Sequence, residues 1–533
     1  IYFFNYHKFY IFSKSKYSYH RCIFCAYMVD FRKQRKRREK MAEEGKFKYF
    51  TPDEVSKMSI EELAKQRVIY GIEDKPPVGE SILLGIQHYL TMFGATFIIP
   101  VVTASAVGFD GVDTARLISL MFFVSGITTI IQTTWGNKLP IVQGGTFSFL
   151  PPMFVITGAV LARPDATSEL AMQELTGAII AASFFEIVIG FSGLIGQLRK
   201  VLGPITIAPT IAMIGLALYN LGFDWLMQDW RIGMVTLIAM IIYSQFLRAK
   251  NRAFLLFPVL LAILTGYAFA WILTLGGVVV QGDAGYVSTR VLENSPWIAV
   301  PQPFMWGMPK FTLSFILGMV AGYIASMIES VGDYMAAARM SGAPVPSSGR
   351  ISRGIGFEGV GCLIAGIFGT GNGTTSYSEN IGAIGLTKVG SRYVIQMAAI
   401  VMLLLGVFGK FGGFFGGMPN PVVGAMYCAL FGMIAAVGIS NLQFVDLNSS
   451  RNLFIIGFAL FMGLSVPFWA NSVSVPGGLP LWQETLADIV LTIAKTGMAV
   501  AAICAGVLDN TVPGTKEERG LLAWVTEGGD GEA

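Results

Sequence analysis

The chain has 533 residues, of which 53% are hydrophobic and only 14% are charged, and its mean hydropathy is +0.59. Soluble domains carry about a quarter of charged residues, so the composition excludes an ordinary soluble enzyme and indicates a protein of many membrane helices. The net charge of +4 is modest and is explained by basic loops and a basic run at residues 32–40, so nucleic acid is not an expected partner.

The N-terminal segment differs in composition from the rest of the chain. Residues 1–27 are rich in Tyr, Phe, Lys and Ser and begin with Ile, and we expect them to be non-native. Residues 1–75 together are expected to form a cytoplasmic tail. Cys22 and Cys25 have the spacing of zinc ligands, but no second pair follows and His20 alone cannot complete a tetrahedral site. We therefore predict no metal site and no cofactor.

Apolar stretches follow one another from Ser81 to Leu508 and predict fourteen membrane spans in two sets of seven. A full crossing needs about 20 apolar residues. A polar segment, 278–310, separates the two sets. The spans of the first set are 81–102, 114–135, 145–160, 174–195, 203–222, 231–247 and 253–276, and those of the second are 311–338, 355–370, 376–388, 393–412, 420–440, 452–470 and 487–508.

Two stretches, 145–160 and 376–388, are too short to cross a membrane and are rich in Gly, Ser, Thr and Pro. Each is the third of its set. Because seven is an odd number, the second set enters the membrane with opposite polarity, which is the arrangement of an inverted repeat whose paired interrupted segments mark the substrate site. The sequence therefore predicts an all-α membrane protein in which segments 3 and 10 are each broken into a short strand and a half-helix.

Loop charges give the expected orientation. Cytoplasmic loops carry an excess of Lys and Arg, and the loops on the side of the N-terminus are the more basic ones, with Arg199, Lys200 and Arg248 among them. This bias predicts that both termini are cytoplasmic and that the segment 278–310 lies outside.

Four acids within the apolar spans are candidates for the site: Glu186, Glu329, Asp333 and Glu379. An ionisable group at membrane depth is costly and usually faces a cavity or a partner. Glu329 and Asp333 are four residues apart and share one face of a helix. Two acids in a low dielectric repel each other, so the pair favours a proton or a bound cation and suits coupling to H⁺ or Na⁺. The alternative is a structural pair bonded to neighbouring hydroxyls.

Glu379 lies in the second interrupted segment, GTGNGTTSYSENIGAIGLTK. The first half of this segment suits an extended strand, and the part from Ile381 onward suits a half-helix whose N–H groups point into the site. A carboxylate there accepts hydrogen bonds from the N–H groups of an amide-like ligand such as uracil or xanthine. The alternative is a capping or packing role for Glu379.

The first interrupted segment reads LPIVQGGTFSFLPP. Gly144 and Gly145 permit close approach of the backbone. Phe147 and Phe149 would alternate on a strand, so that one of them stacks on a flat ring, although two such residues are equally consistent with core packing.

Four further charged or titratable residues have either a functional or a structural role. His88 follows Gln87 in the first span, and a lone His on a packed helix is either structural or a proton carrier. Glu186 and Lys495 are either functional or simply paired with another side chain, and the sequence does not distinguish between these interpretations. Arg451 is expected to be an ordinary charge of a cytoplasmic loop.

Several of these motifs resemble those of the nucleobase–ascorbate transporter family. The run ENIGAIGLTK, from Glu379 to Lys388, is similar to the family's tenth-span signature of an acid, Gln or Pro, then Asn-x-Gly, four variable residues, Thr and a basic residue. The pair Gln87-His88 resembles its first-span motif. IESVGDYMAAAR resembles its eighth span, and NLQFVDLNSSRNLF resembles the loop before its thirteenth. The resemblance covers residues 75–512.

The resemblance implies fourteen spans in two inverted sevens, a homodimer in the plasma membrane and an elevator-like movement of a core domain against a gate domain. It implies no enzyme activity. The implied core consists of residues 76–200 and 311–412, the gate of residues 201–277 and 413–510, and residues 511–533 form a cytoplasmic tail.

The resemblance also implies roles for individual residues. Glu329 and Glu379 would hold the base through its N–H groups, with the backbone near Phe147 and Ser378 completing the contact. The remaining implied residues are Tyr377 beside the substrate, Asn380 as a brace, and His88, Gln87, Thr387 and Asp333 as residues that tune the site or carry the coupling ion, with a sodium ion near Asp333.

One difference from the ascorbate carriers of the family indicates the cargo. Ascorbate carriers of the family resemble this chain but have Pro at the position of Glu379. Ascorbate is an anion, and a second close carboxylate repels it by more than ~1 kcal/mol at an intermediate dielectric. We therefore expect secondary active import of a neutral nucleobase such as uracil or xanthine with H⁺ or Na⁺. The alternatives are a sodium-coupled ascorbate transporter and an anion exchanger or channel of the same general fold.

Overall fold

The structure is a computed structural model that describes residues 68–195, 203–248, 250, 252–473 and 480–521. These residues are almost entirely helical. The predictions for the first 67 residues, including the non-native segment 1–27 and the absence of a zinc site at Cys22 and Cys25, lie outside the described part of the chain.

The first half of the described chain consists of nine helices and one short strand. Asp110 caps α2 and Thr167 caps α4, because their side chains accept hydrogen bonds from the first free N–H groups of those helices. The elements are α1 (Val78–Val107), α2 (Gly111–Thr134), β1 (Gln143–Gly144), α3 (Leu150–Leu161), α4 (Ser168–Ser192), α5 (Pro204–Leu216), α6 (Tyr219–Met227), α7 (Trp230–Ile241), α8 (Arg252–Leu256) and α9 (Pro258–Leu275).

The second half has the same character. Ser347, Ser391 and Ser449 cap three of its helices through their side chains. The elements are α10 (Arg290–Asn294), α11 (Leu313–Met340), α12 (Ser348–Phe368), β2 (Thr375–Ser376), α13 (Ser378–Thr387), α14 (Arg392–Val407), α15 (Gly409–Gly416), α16 (Asn420–Ser440), α17 (Ser450–Ala470), α18 (Leu481–Lys495) and α19 (Gly497–Thr511).

Within the described residues, eight helices are long and apolar enough to cross a membrane, and the bent pair α18–α19 brings the number to nine. The chain is therefore a multi-span membrane protein. Shorter apolar helices, among them α3, α5 and α14, lie between the long ones. The total of fourteen spans stays a prediction.

Four predicted spans contain breaks that hydropathy did not indicate, among them 253–276 at Phe257 and 393–412 at Phe408. The span 203–222 is divided between α5, which ends at Leu216, and α6, which begins at Tyr219. The span 487–508 is divided at Thr496, where α18 and α19 meet at 91°. The composition stays apolar across the break after Leu216, and the break at Thr496 contains only the short polar pair Lys495-Thr496, so an average over a window of residues does not detect either of them.

The two strands lie in the two interrupted segments and pair with each other. β1 and β2 are antiparallel, with Gln143 opposite Ser376 and Gly144 opposite Thr375. Each strand is followed by a helix that leads away from the pair. The sheet therefore joins two parts of the chain that are more than two hundred residues apart.

The local boundaries differ from those predicted. Phe147 and Phe149 do not lie on a strand, because they form a 3₁₀ turn that follows β1, in which the Thr146 hydroxyl accepts from the N–H of Ser148. Helix α13 begins at Ser378, earlier than Ile381, so Glu379 lies in its first turn. Glu379 therefore lies beside the free N–H groups of a helix N-terminus.

Close helix contacts depend on small residues, as is usual in membrane bundles. A Cβ atom added to Gly190 of α4 would lie 2.2 Å from the backbone nitrogen of Gly356 on α12. Helices α1, α2 and α4 pack mainly against α11, α12 and α14, whereas α5 packs against α16, α17 and α19. The strand pair contacts α2 and α11 and belongs to the first of these two groups.

Candidate functional site

Four carboxylates come together where α11, α12 and α13 meet. Glu329 and Asp333 lie one turn apart on α11, Glu358 lies on α12 and Glu379 in the first turn of α13, and they interact electrostatically. Glu329 and Glu379 are partly exposed, whereas Asp333 and Glu358 are buried. Among the described residues, no Lys or Arg forms an ion pair with any of the four. Any negative charge on the cluster is therefore left without a basic partner among the described residues.

Glu358 was not identified from the sequence. Its carboxylate accepts hydrogen bonds from the hydroxyl of Ser330, at 2.6 Å and 2.8 Å, and from that of Tyr334 at 3.1 Å. Thr375 and Ser376 of β2 donate to it at 3.2 Å and 3.1 Å. The sequence did offer one signal for it, because Glu358 is the single acid within the predicted span 355–370. Ionisable residues in such spans are rare and usually functional.

The bonds to Glu358 tie β2 to α11 and α12. They extend to β1, because the side-chain amide of Gln143 donates to the Ser376 hydroxyl at 2.7 Å. A buried carboxylate surrounded by hydroxyl donors keeps its charge at a lower cost than an unsatisfied one. The network therefore supports an ionised group directly behind the strand pair.

Asn380 joins the two interrupted segments. Its Oδ1 accepts from the backbone N–H of Val142 at 3.1 Å, and its Nδ2 donates to the carbonyl of Pro140 at 2.9 Å. Both polar ends of the side chain are occupied by backbone groups before β1. The structure thus places Asn380 where a brace would lie, and not in contact with an open cavity.

Thr387 lies at the other end of α13. Its hydroxyl donates to the carbonyl of Ala383 at 2.8 Å and accepts from the N–H of Val389 at 3.2 Å. It is eight residues beyond Glu379, which is about 12 Å along a helix. The structure does not bring it to the acid cluster, and its contacts are those of a residue that ends a helix.

Tyr377 and Ser378 differ in exposure although they are neighbours. Tyr377 is buried, its hydroxyl accepts from Thr96 at 3.4 Å, and its ring lies within 2.8 Å of the position that a Cβ atom would occupy on Gly144. Ser378 is exposed. Of the predicted substrate contacts on this segment, Ser378 and Glu379 are accessible and Tyr377 packs against β1.

The two phenylalanines of the first interrupted segment have different environments. Phe149 is buried and packs on the ring of Tyr323, with centroids 4.5 Å apart. Phe147 is only partly buried and meets Phe431 of α16 edge to face at 6.2 Å. Because α16 belongs to the second helix group, Phe147 lies where the two groups face each other.

Several buried polar atoms have no hydrogen-bond partner among the described residues. They include both ring nitrogens of His88, Nε2 of Gln87 and Oδ2 of Asp333. A buried polar group without a partner is costly, so such groups are typical of sites that bind a ligand, an ion or water. The structure does not pair His88 with any of the four acids.

Comparison with known proteins defines the family. A family profile described as the Permease family matches residues 79–472. Solute carrier family 23 member 2 of Rattus norvegicus is 43% identical over 498 residues, which cover 86% of this chain and 76% of that protein. Nucleobase-ascorbate transporter 2 of Arabidopsis thaliana is 37% identical over 494 residues, which cover 89% and 94%. The chain belongs to the nucleobase–ascorbate transporter family. The resemblance noted in the sequence is thereby confirmed, and the protein is a transporter and not an enzyme.

Solved structures similar to this transporter share its fold. The transmembrane domain of the cyanobacterial bicarbonate transporter BicA aligns with a TM-score of 0.51 at 14% identity, over 80% of this chain and 99% of that one. The murine Solute Carrier 26 family member A9 anion transporter in the inward-facing state aligns with a TM-score of 0.52 at 10% identity, over 79% and 68%. Such identities show a common architecture and nothing about cargo.

Arg451 of the transporter is not an ordinary loop charge, so that prediction is wrong. It lies on α17, its side chain is 9% exposed, and its Nη2 is 3.0 Å from Oδ1 of Asp509, which is fully buried. Arg519 binds the other oxygen of Asp509 at 3.0 Å. The pairing spans distant parts of the sequence, so it could not be read from the residues around Arg451.

Lys495 and Glu186 of the transporter also have defined environments. Lys495 lies at the break between α18 and α19 and lines a cavity of about 1030 Å³, which Phe154 of α3 and Phe468 of α17 also line. Glu186 lies on α4 and is fully buried, and neither of its carboxyl oxygens has a hydrogen-bond partner among the described residues.

Proposed function

We propose that this transporter imports a neutral nucleobase such as uracil or xanthine together with H⁺ or Na⁺. The observation that carries the proposal is the group of four carboxylates around α13, which no basic side chain of the described residues pairs. Two of them, Glu329 and Glu379, are partly exposed and interact electrostatically. Such a site suits a ligand that donates hydrogen bonds and a cation that compensates charge.

A nucleobase matches the polar groups of the site. Its ring N–H groups would donate to the carboxylates of Glu329 and Glu379, and its carbonyl oxygens would accept from the free N–H groups at the start of α13. The partly exposed ring of Phe147 offers a flat apolar surface on which a planar ring could stack. These three features explain why a planar amide-like ligand is favoured over an aliphatic one.

The buried acids offer a basis for coupling substrate transport to the movement of a cation. Asp333 has an oxygen without a partner among the described residues and interacts with Glu329 and Glu379. Close carboxylates in a low dielectric repel one another, so a proton or a sodium ion near Asp333 would lower the energy of the cluster. The same cation would have to leave with the substrate, which is the basis of symport.

Ascorbate is the second candidate cargo. The Arabidopsis relatives carry ascorbate as well as nucleobase in their names. Against it stands the charge of the site, because each carboxylate at about 5 Å from an anion contributes roughly 3 kcal/mol of repulsion at an effective dielectric of about 20. The acid at Glu379 therefore favours a neutral cargo.

Uptake into proteoliposomes tests the proposal. Labelled uracil, xanthine and ascorbate are offered under a sodium gradient and, separately, under a pH gradient. We expect uptake of a nucleobase, and we expect Glu329→Gln and Glu379→Gln each to lose most of it while eluting as folded protein. Glu293→Gln, at an exposed acid outside the long helices, serves as the control and should match the wild type.

The other outcomes identify the alternatives. Uptake of ascorbate alone, retained in Glu379→Pro, would establish the ascorbate transporter. Current that does not depend on any of the three substrates would favour an anion exchanger or channel. Wild-type nucleobase uptake in both Gln variants would show that the cargo binds elsewhere.

An elevator-like movement in a homodimer completes the proposal. The interrupted segments belong to one helix group, and Phe147 faces the other, so relative movement of the groups would carry the site across the membrane. Helix α17 exposes a row of large apolar side chains, with Phe461 69% and Phe468 86% exposed, which suits lipid or a second copy of the chain. Light scattering should give twice the chain mass of 57.6 kDa, and a monomer that still transports would refute the dimer.

A further inference from the structure

Glu186 is enclosed by protein on every side. It lies on α4 in the tight contact with α12, where a Cβ atom added to Gly359 would be 3.1 Å from the Glu186 side chain. The residue is fully buried, and both carboxyl oxygens lack a hydrogen-bond partner among the described residues. Neither the family motifs nor the substrate contacts proposed above account for this group.

The titratable neighbours of Glu186 are all acidic or neutral. Glu358 and Cys362, one turn apart on α12, are close enough to interact with it, and so are Tyr323 and Tyr334 of α11. Tyr323 donates its hydroxyl to the carbonyl of Ile179 at 2.8 Å. Within the described residues, no Lys, Arg or His compensates a charge on Glu186.

The surroundings of Glu186 therefore favour its protonated carboxyl group, whereas those of Glu358 support an ionised one. An isolated ionised carboxylate without hydrogen bonds is very costly in an apolar interior. Glu358 accepts from serine, threonine and tyrosine hydroxyls, which support a charge. When the pair holds a single proton, we therefore expect that proton on Glu186.

We propose that Glu186 is a proton-binding site of the coupling machinery, which passes its proton to Glu358 during the transport cycle. The O–H bond on Glu186 breaks as one forms on Glu358, and the pair keeps one proton and one negative charge. Uptake of a proton from water by Glu186 on one side, and release of the proton from Glu358 to the other, then take place in arrangements of the helices other than the enclosed one of this structure. The inference rests on the proposed symport and assigns the coupling ion as H⁺.

The structure offers a physical link between this pair and the substrate. Glu358 is bonded to Thr375 and Ser376 of β2, and Glu379 follows β2 in the first turn of α13. Protonation of Glu358 and binding of a base at Glu379 therefore act on the same short element. Two ligands that favour the same arrangement of one element are coupled by thermodynamic necessity.

Transport in two modes separates proton coupling from substrate binding. Purified wild type, Glu186→Gln and Glu186→Asp are reconstituted, and labelled uracil and xanthine are used as probes. Accumulation is driven by a pH gradient of one unit, and exchange is measured with equal substrate concentrations on both sides. One proton per substrate sustains an about tenfold accumulation across about one pH unit. Glu169→Gln, at an exposed position on the same helix, is the matched control.

We expect Glu186→Gln to abolish the tenfold accumulation and to keep exchange, Glu186→Asp to keep part of both, and Glu169→Gln to match the wild type. Full accumulation by Glu186→Gln would overturn the proposal. Loss of both modes in Glu186→Gln, with the protein still folded, would also overturn it by showing a structural role. Wild-type accumulation that follows a sodium gradient and ignores the pH gradient would refute H⁺ as the coupling ion while leaving nucleobase transport intact.

Infrared spectroscopy tests the proton directly. A protonated carboxyl group has a C=O stretching band that an ionised one lacks, and in the wild type we expect such a band that Glu186→Gln removes and Glu169→Gln retains. A wild type without this band would overturn the proposal even if transport is normal. A wild type that moves neither base would refute the proposed function, and the infrared result would still decide whether Glu186 holds a proton.

Discussion

Replacing Asp509 with Asn tests the ion-pair cluster at the end of α19. Asp509 is fully buried, and its two oxygens are bound at 3.0 Å by Arg451, whose side chain is 9% exposed, and by Arg519, whose side chain is 17% exposed. The substitution leaves two largely desolvated guanidinium groups facing a neutral amide. Removing one partner of a buried ion pair typically costs about 3–5 kcal/mol, and we expect a loss of this size.

Arg519→Ala provides the internal comparison. Asp509 would keep its pairing with Arg451, which also donates to the carbonyl of Asp509 at 2.7 Å. Arg519 donates two hydrogen bonds to Asp509, both at 3.0 Å. Because the carboxylate keeps one charged partner, the loss should be smaller, about 1.5–3 kcal/mol. Glu517→Gln, at an exposed acid in the same segment, should change the free energy of unfolding by less than about 0.5 kcal/mol.

Denaturant unfolding in detergent, followed by tryptophan fluorescence, measures the three differences. The reasoning requires the order Asp509→Asn, then Arg519→Ala, then Glu517→Gln. A cost for Asp509→Asn below that of Arg519→Ala would show that the carboxylate is not the centre of the cluster.

Three further changes have defined outcomes. Asn380→Ala removes two bonds between the interrupted segments and should cost about 1–3 kcal/mol in unfolding free energy, with loss of base uptake. Gly144→Ala places a Cβ within 2.8 Å of the Tyr377 ring, so it should cost about 1–3 kcal/mol and Tyr377→Ala in the same chain should recover part of this. Burial alone would raise the pKa of Asp229, but hydrogen bonds and attraction from Arg231 hold that pKa below its usual range. Its stabilisation is therefore present above about pH 4 and is lost as the pH falls through the lowered pKa, so Asp229→Asn should reduce the loss of thermal stability on acidification.

The sequence located the interrupted segments because their composition departs sharply from the apolar stretches around them. Gly, Ser and Thr replace Leu and Ile over a dozen residues, and a hydropathy profile detects such a change. It did not detect the breaks after Leu216 or at Thr496, because the flanking stretches remain apolar and the polar pair Lys495-Thr496 is too short to change a window average. The direction of the backbone at these places depends on tertiary packing, which cannot be predicted from a single sequence.

The candidate site, too, could be predicted from the sequence only in part. Glu329, Asp333 and Glu379 were accessible to sequence analysis because a charge inside an apolar span stands out, and Glu358 carried the same signal. Its partners did not, because Ser330 lies on one helix and the strand hydroxyls on another element, and Ser and Thr occur throughout membrane helices. The pairing of Arg451 with Asp509 likewise depends on which helix ends meet in the folded protein.

The hydroxyls around Glu358 explain why its charge would matter for transport. An ionised carboxylate only accepts hydrogen bonds, whereas a protonated one also donates. Five hydroxyls donate to Glu358 in the structure, from Ser326, Ser330, Tyr334, Thr375 and Ser376, so arrival of a proton places two donors against each other unless one hydroxyl turns away. Two of the five belong to β2, and a hydroxyl of β2 that turns away weakens the attachment of the strand to α12. We therefore expect the position of α13 to depend on the protonation of a residue that the proposed substrate does not touch.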